Sequence, residues 1–504
     1  MTTVVARARQ AACRVEMVAG VDSSTQSCKV ELRDARNGEL LATGSAPHKS
    51  TAPPVSEQDP EMWWVAFVRA FRNALEAARA SAEQVVALAV GAQCHGLVVL
   101  DTENRVIRPA KLWNDTTSAP QMGILLESIG AEEFIRSTGS LPTAAFTISK
   151  LAWLRQHEPE NYRRIRRILL PHDYLNWRLT GEYVTDRSEA SGTGYFDADA
   201  MTYLDSHLAR IDPDRDFSGM LPEVRGPEEA AGTVIAPARE ALGLRKGTPV
   251  SIGGGDQHIS ALGLGIKPGD VVYSFGTSGV VLTTHPDPVR DRHGIIDGVA
   301  DCTGGYLPLV STLNSAKVIA TFAEILGTDF AELSRLALTA NPDTTGPSLA
   351  AFLDGERKPN RPHATGVLAG LTTATTREEV ARAAFEGVIL GLVNGQAQFE
   401  SLGLATGGRT LAIGGGARSP AMSQLLADVL RTDVLFADAP EAVARGAAVQ
   451  ASALMTSTPV AERAREWAPP TDLAASPRVI ARDPWPEYRK VTAVTAHDRQ
   501  EGIS

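Results

Sequence analysis

Gly253-Gly254-Gly255-Asp256-Gln257, followed by Tyr273-Ser274-Phe275-Gly276-Thr277-Ser278-Gly279, is the stretch on which the reading of the fold turns. Three glycines let the backbone bend sharply and let a ligand come close to an acidic residue. A strand-like apolar run then leads into a second glycine-bounded turn, rich in hydroxyls and free N–H groups. Such a turn can cradle a phosphate. An aspartate beside a phosphate cradle suggests a base that deprotonates an acceptor hydroxyl during phosphoryl transfer. The plainer reading is a linker turn whose Asp256 caps the next helix. The rest of the chain separates the two.

Before this stretch, Met17 to Val21 reads as a buried strand with Asp22 at its end. Ser23 to Ser27 makes a polar turn, and Cys28 to Leu32 alternates like a returning strand. Asn37-Gly38 signals a hairpin into a third strand from Leu40. Asp59-Pro60 starts a helix as N-cap and first residue. Its Trp63/Phe67 and Trp64/Phe71 pairs fall at helical spacing and predict a core-facing stripe. Val85 to Val90 is a strand ending in Gln93-Cys94-His95-Gly96, where side chains can meet a ligand. Residues from about 120 to 240 mix helical patterns with turns. Within them, Asp186 to Gly194 reads as a small-residue loop without chemistry of its own.

After the opening stretch the pattern repeats. Val271 to Phe275 and Val280 to Thr283 are strands around the second turn. Thr376-Arg377-Glu378-Glu379 is a capping box. Leu411 to Ile413 is a strand, Gly414 to Ala417 a loop, and Ser419-Pro420 a helix start. Val434 to Phe436 is a strand, and a small-residue helix begins at Ala442. Each half carries a strand–turn–strand with a phosphate-type turn, and the Pro/Gly clusters at Lys246-Gly247 and Lys267-Pro268-Gly269 mark the boundary. The expected organisation is a tail over 1–16, domains over 17–262 and 263–490, and a tail over 491–504.

At 504 residues the chain has room for two cores. Its net charge of −10 and the lack of a basic run argue against nucleic acid as a partner. No apolar run reaches membrane-span length. The four cysteines lack metal-ligand spacing and fit a reducing cytoplasm. Residues 1–15 carry arginines and no acid, as a transit peptide does, but lack the apolar core of a secretory signal and read as a disordered tail.

Eight stretches in order then carry a resemblance: Gly20 to Lys29, Glu57 to Pro60, Gln93 to Leu97, Leu112 to Asp115, Gly254 to Asp256, Phe275 to Gly279, Gly355 to Arg357 and Gly414 to Ser419. Together they resemble the FGGY family of carbohydrate kinases, and within it the pattern is most similar to the xylulokinases. The resemblance implies an α/β fold of two ribonuclease-H-like domains, of the actin and hexokinase type, around a nucleotide cleft. It implies an ATP-dependent kinase of a ketose, with D-xylulose expected, using ATP and Mg²⁺ in the cytoplasm. Its partners would be a small sugar and ATP, with no nucleic acid and no membrane; a homodimer is left open.

The resemblance also implies roles. Asp256 would be the base, and Asp22 would join it in holding Mg²⁺ through water. Thr25, Gln26, Ser27 and Lys29 would line the phosphates, with Gly276, Thr277 and Ser278 as the second phosphate turn. Gly415, Gly416 and Ala417 would pack against adenosine. Cys94, His95 and Gln257 would join Asp256 around the sugar. The Cys94-His95 pair points to a ketose, because glycerol kinases carry Arg-Glu there. Two positions depart from the pattern. Gln257 stands where xylulokinases usually have Asn, which leaves the exact sugar open. Pro420 stands where some members carry Asn, which leaves one adenosine contact open. The competing readings are another ketose or polyol as acceptor, or an actin-like ATPase without a sugar site. A dinucleotide dehydrogenase fails for want of a Gly-x-Gly-x-x-Gly after a strand.

Overall fold

The computed structural model describes residues 15–49, 51–361 and 363–495. The expected N-terminal tail lies almost wholly outside them. Two compact units form. The first comprises residues up to Ile266 with Val299–Tyr306 and Glu441–Ala468; the second comprises Lys267–Gly298, Leu307–Pro440 and the segment from Pro469. Two late stretches of sequence thus belong to the first unit, where a linear reading put all of 263–490 in one domain.

In the first unit, β1 (Met17–Ser23), β2 (Ser27–Asp34) and β3 (Leu40–Pro47) form the expected meander. Strands β4 (Val85–Ala92), β5 (Ala230–Thr233) and β6 (Pro249–Ser251) complete a sheet of order β5-β6-β4-β1-β2-β3. Strand β4 runs parallel to both β1 and β6 in the centre of the sheet, while β5 pairs antiparallel with β6 at the edge. The helix Pro60–Ala78 starts as its sequence dictates, with the Asp59 side chain accepting from the Glu61 N–H. Its Trp63, Trp64, Phe67 and Phe71 are buried in one apolar cluster with Val21, Val30 and Leu88. The other face of the sheet receives the helix Ala442–Thr456. Here Gly20 on β1 comes so close that a Cβ would stand 1.8 Å from the Ala444 carbonyl oxygen. Val18, Ala87 and Ala89 pack against Ala447, Ala448 and Ala451 in the same layer. Small side chains on both partners make that approach possible.

The second unit repeats the order. Strands β7 (Val271–Phe275), β8 (Gly279–Leu282) and β9 (Tyr306–Thr312) are an antiparallel meander. Strand β10 (Thr410–Ile413) lies parallel to β7, β11 (Val434–Ala437) parallel to β10, and β12 (Thr471–Ala475) antiparallel at the edge. The helix Arg377–Ser401 opens with the capping box read from sequence, Thr376 and Glu379 each bonding the other's backbone N–H. Phe385, Ile389 and Leu392 bury against Tyr273, Val281 and Val310. Each unit therefore has the meander followed by parallel strands that defines the expected ribonuclease-H-like fold. The helix Trp485–Val494 runs past residue 490, so the first residues of the expected C-terminal tail are helical, and the rest of that tail lies outside the described residues.

Candidate active site

The first unit gathers its polar residues where parallel strands end. Asp22 on β1 is level with Gly91 on β4, and Gly254-Gly255 runs alongside Gly91-Ala92 on the other side. The three chain segments then leave the sheet together. β1 ends at Asp22-Ser23, β4 runs on into Gln93-Cys94-His95, and Gly255 leads into Asp256, first residue of the helix Asp256–Gly263.

Asp256 is partly exposed. Its Oδ1 accepts from the Cys94 thiol at 3.2 Å and from the Gln257 N–H at 2.8 Å. Burial of the carboxyl raises its pKa, while those two donors oppose the shift. Both bonds fall on Oδ1, which leaves Oδ2 for an incoming group. Asp22 is 4 % exposed, and burial pushes its pKa up to about 7. The Ser24 hydroxyl, 2.5 Å from Oδ1, counters that rise, and the charge of Asp256 adds to it. Two carboxylates that sense each other form an all-oxygen donor set, the kind Mg²⁺ takes.

The turn after β1 is held by amides. Thr25 Oγ1 donates to Gln93 Oε1 and accepts from Trp113 Nε1, both at 3.0 Å. Gln58 donates to the Thr25 carbonyl at 2.8 Å, while its Oε1 accepts from Trp63 Nε1 and Gln93 Nε2. Three of the sequence stretches, around residues 25, 58 and 93, are thereby one network. Gln26 is exposed, and Ser27 is half-buried at the start of β2. Lys29 pairs with Glu441 at 2.7 Å, so its ammonium already faces a carboxylate.

His95 has φ of 63°, a left-handed backbone uncommon for a residue with its bulk. Its ring stacks on Phe146 with centroids 5.2 Å apart, and its N–H donates to Glu189 Oε1 at 2.5 Å. Gly192 must lack a side chain, since a Cβ there would lie 2.1 Å from the imidazole. Cys94 keeps its proton: burial and the Glu189 and Asp256 carboxylates raise its pKa well above the ordinary thiol value. Gln257 is exposed beside these groups.

Sequence reading missed Glu189. The Asp186 to Gly194 segment holds the short helix Arg187–Ala190, capped by Asp186 accepting from the Ser188 and Glu189 N–H groups. That helix buries Glu189 completely, and burial raises its carboxyl pKa well above the usual range. The signal was present as an acid three residues after a capping aspartate.

In the second unit, the Gly276-Thr277-Ser278 turn joins β7 to β8, with Thr277 exposed. Gly414 has φ of 87°, and the short 3₁₀ turn Gly415–Arg418 follows. A Cβ on Gly416 would lie 2.8 Å from Phe275 Cβ, and Ala417 is buried in the core. Gly415, by contrast, has open space over its Cα. Of the three residues expected at adenosine, one faces open space and two serve internal packing. Pro420 opens the next helix. Ser334 Oγ accepts from the Ala421 N–H and from the Ser419 hydroxyl, both at 3.1 Å. The Gly355-Glu356-Arg357 stretch holds the end of β9, with Glu356 accepting from the Leu313 N–H and the Asn314 amide. Among the described residues, no helix is long and apolar enough to cross a membrane.

Comparison with known proteins gives the same pattern. The N-terminal domain of the FGGY family of carbohydrate kinases matches residues 17–263, and its C-terminal domain matches residues 271–455. A xylulose kinase of Streptomyces coelicolor is 42 % identical over 454 residues, covering 90 % of each chain. One from Streptomyces rubiginosus is 41 % identical over 470 residues, covering 93 % of each. The crystal structure of xylulose kinase from Bifidobacterium adolescentis superposes with a TM-score of 0.83 at 38 % identity, covering 94 % of this chain and 99 % of that one.

Proposed function

The chain belongs to the FGGY family of carbohydrate kinases, and on that premise we propose that it transfers the γ-phosphoryl group of ATP to the 5-hydroxyl of D-xylulose. It is a phosphotransferase with an alcohol as acceptor. The observation that carries the substrate reading is Asp256, bonded by Cys94 next to His95 at the joint end of three parallel segments. The likeness to xylulose kinases over nine-tenths of the chain supports it.

The chemistry follows from the geometry. Asp256 takes the proton of the acceptor hydroxyl on Oδ2, while Oδ1 stays fixed by Cys94 and Gln257. Partial burial makes it a stronger base than a free carboxylate. The His95 ring, locked by Phe146 and Gly192, offers hydrogen bonds to the other hydroxyls of the sugar. Thr25 and Ser27 present hydroxyls, and the turn presents N–H groups, to the phosphates. Lys29 supplies a point charge there by exchanging Glu441 for phosphate. Asp22 and Asp256 would hold Mg²⁺, which when bound neutralises charge on the transferring group. Gly276 to Ser278 form a second phosphate turn, and Gly415 gives adenosine a surface without a side chain. We assign the sugar and the first phosphate turn to the first unit and adenosine to the second. The cysteine content fits action in the cytoplasm.

The deciding experiment couples ADP release to a panel of ketoses and polyols. D-xylulose should give the highest kcat/KM, and turnover without acceptor should be negligible. A better polyol acceptor would overturn the substrate, and turnover independent of any acceptor would overturn sugar phosphorylation itself.

A further inference from the structure

Gly255 leaves a space on which three donor atoms converge. A side chain at that position would begin 2.2 Å from Glu189 Oε2, 2.6 Å from Cys94 Sγ and 2.8 Å from His258 Nδ1. The three donors lie within 4.8 Å of one another. All three residues are buried, Glu189 and His258 to within 3 %. Glu189 Oε2 and both nitrogens of His258 have no hydrogen-bond partner. Buried polar atoms are nearly always paired, so two unpaired atoms facing one point, Glu189 Oε2 and His258 Nδ1, need a reason.

We propose that Cys94, Glu189 and His258 form a binding site for a thiophilic divalent cation of the Zn²⁺ class, separate from the Mg²⁺ that accompanies nucleotide. Sulfur, imidazole nitrogen and carboxylate oxygen are the mixed donors zinc accepts, whereas Mg²⁺ selects oxygen. The charges balance: one thiolate and one carboxylate offset the two positive charges, and His258 binds neutral. Binding forms a metal–sulfur bond, breaks the S–H bond and sends that proton to solvent. The Cβ position itself lies a bond length from Gly255 Cα, so the ion would sit farther out among the three donors, which must close around it to reach ligand distances of roughly 2.0–2.3 Å. Asp256, whose Oδ1 accepts from the Cys94 thiol at 3.2 Å, stays outside the ligand set, and water completes the coordination. Occupation would draw the thiol away from Asp256. Resting on the kinase reading above, the ion is therefore an inhibitor at the sugar side of the site.

The full chain, stripped with a chelator, is titrated with Co²⁺ as a spectroscopic stand-in. One equivalent should give a thiolate-to-metal charge-transfer band in the near ultraviolet, and Zn²⁺ should abolish it by displacement. Cys94→Ser should remove the band, and His258→Gln should weaken Co²⁺ binding at least about tenfold. Cys302→Ser should change neither. No stoichiometric band in the unsubstituted protein, or a band that survives Cys94→Ser, overturns the site. The unsubstituted titration decides even if a variant fails to fold. In the kinase assay, Zn²⁺ should suppress turnover and chelator restore it, with about tenfold more Zn²⁺ needed in His258→Gln. A full Co²⁺ band with unaffected turnover overturns the inhibitory role. A full band in a protein that phosphorylates no sugar would leave the site standing and overturn the kinase reading instead.

Discussion

In the first unit the meander strand β1 runs into Asp22, its neighbour β4 leads into Cys94, the Gly254-Gly255 segment beside β4 leads into Asp256, and a short helix outside this sheet brings Glu189. In the second unit the same strand position runs into Phe275 and Gly276, and its parallel neighbour delivers Gly414, Gly415 and Gly416. The strand order is shared, and the chemistry at the strand ends is not. One end accumulates groups that gain and lose protons. The other presents backbone and an absence of side chains. A sheet with parallel central strands offers a place for function, and the residues at its edge decide whether that place moves protons or fits a shape.

The largest test removes the base. Asp256→Asn keeps shape and should lower kcat by about 10²–10⁴ while sugar binding persists in calorimetry. If more than roughly a tenth of kcat remained, the first unit would not be the seat of proton transfer.

The next concerns buried charge. In the second unit Glu386 holds two arginines, Arg382 at 2.6 Å and Arg482 at 2.8 and 2.9 Å, all nearly inaccessible. Glu386→Gln strands both and should cost about 3–5 kcal/mol in denaturant unfolding with kcat unchanged in the surviving folded protein. A loss below about 1 kcal/mol would show that the pairs carry no stability.

In the first unit Lys111 is buried with Asp115, whereas the equally buried Lys150 meets no carboxylate among the described residues. It donates instead to the carbonyls of Ala144, Ala145 and Phe146. Burial lowers its pKa to about 7 from 10.5, with Lys111 acting in the same direction and Asp115 and Glu189 opposing. The unfolded chain therefore binds more protons between those two values. The cost of the buried ammonium is present in full below pH 7, and stability rises with pH from about 7 towards 10.5. Melting of the unsubstituted protein against Lys150→Met should show that rise only where Lys150 is present. Parallel curves would mean that Lys150 stays charged throughout.

The glycine loop gives a smaller effect. Gly416→Ala presses on Phe275 and should cost about 1–3 kcal/mol. Gly415→Ala meets nothing and should stay within about 0.5 kcal/mol in stability while raising the KM for ATP. Equal KM values for the two variants and the unsubstituted protein would remove adenosine from this loop.

The smallest concerns Gln257. Gln257→Asn shortens the side chain by one methylene and should shift the kcat/KM ratio between D-xylulose and other acceptors by about tenfold, or roughly 1.4 kcal/mol. Identical ratios would mean that residue 257 is neutral in specificity.

Local signals were legible and long-range ones were not. Asp59-Pro60, the Thr376 capping box and the Asn37-Gly38 hairpin are written in a few consecutive residues, and the structure follows them. Glu189 was missed because its role depends on contact with His95, 94 positions away. The small residues of the Ala442 helix were visible, but nothing local says that their partner is β1. Gly416 and Ala417 were read by the same smallness as ligand contacts. Smallness alone does not say whether a ligand or Phe275 does the approaching.

The contact between Gly20 and Ala444 also has a consequence in time. On the ribosome, residues up to 266 emerge without the helix that covers one face of their sheet. At synthesis rates of about 5–20 residues per second, the interval until residue 456 is roughly 10–40 s. Throughout it, Val18, Ala87 and Ala89 are uncovered on a sheet that is otherwise ready to form. The nascent first half is thus a natural client for chaperones, and a truncation before residue 442 would yield a chain that aggregates instead of a stable domain.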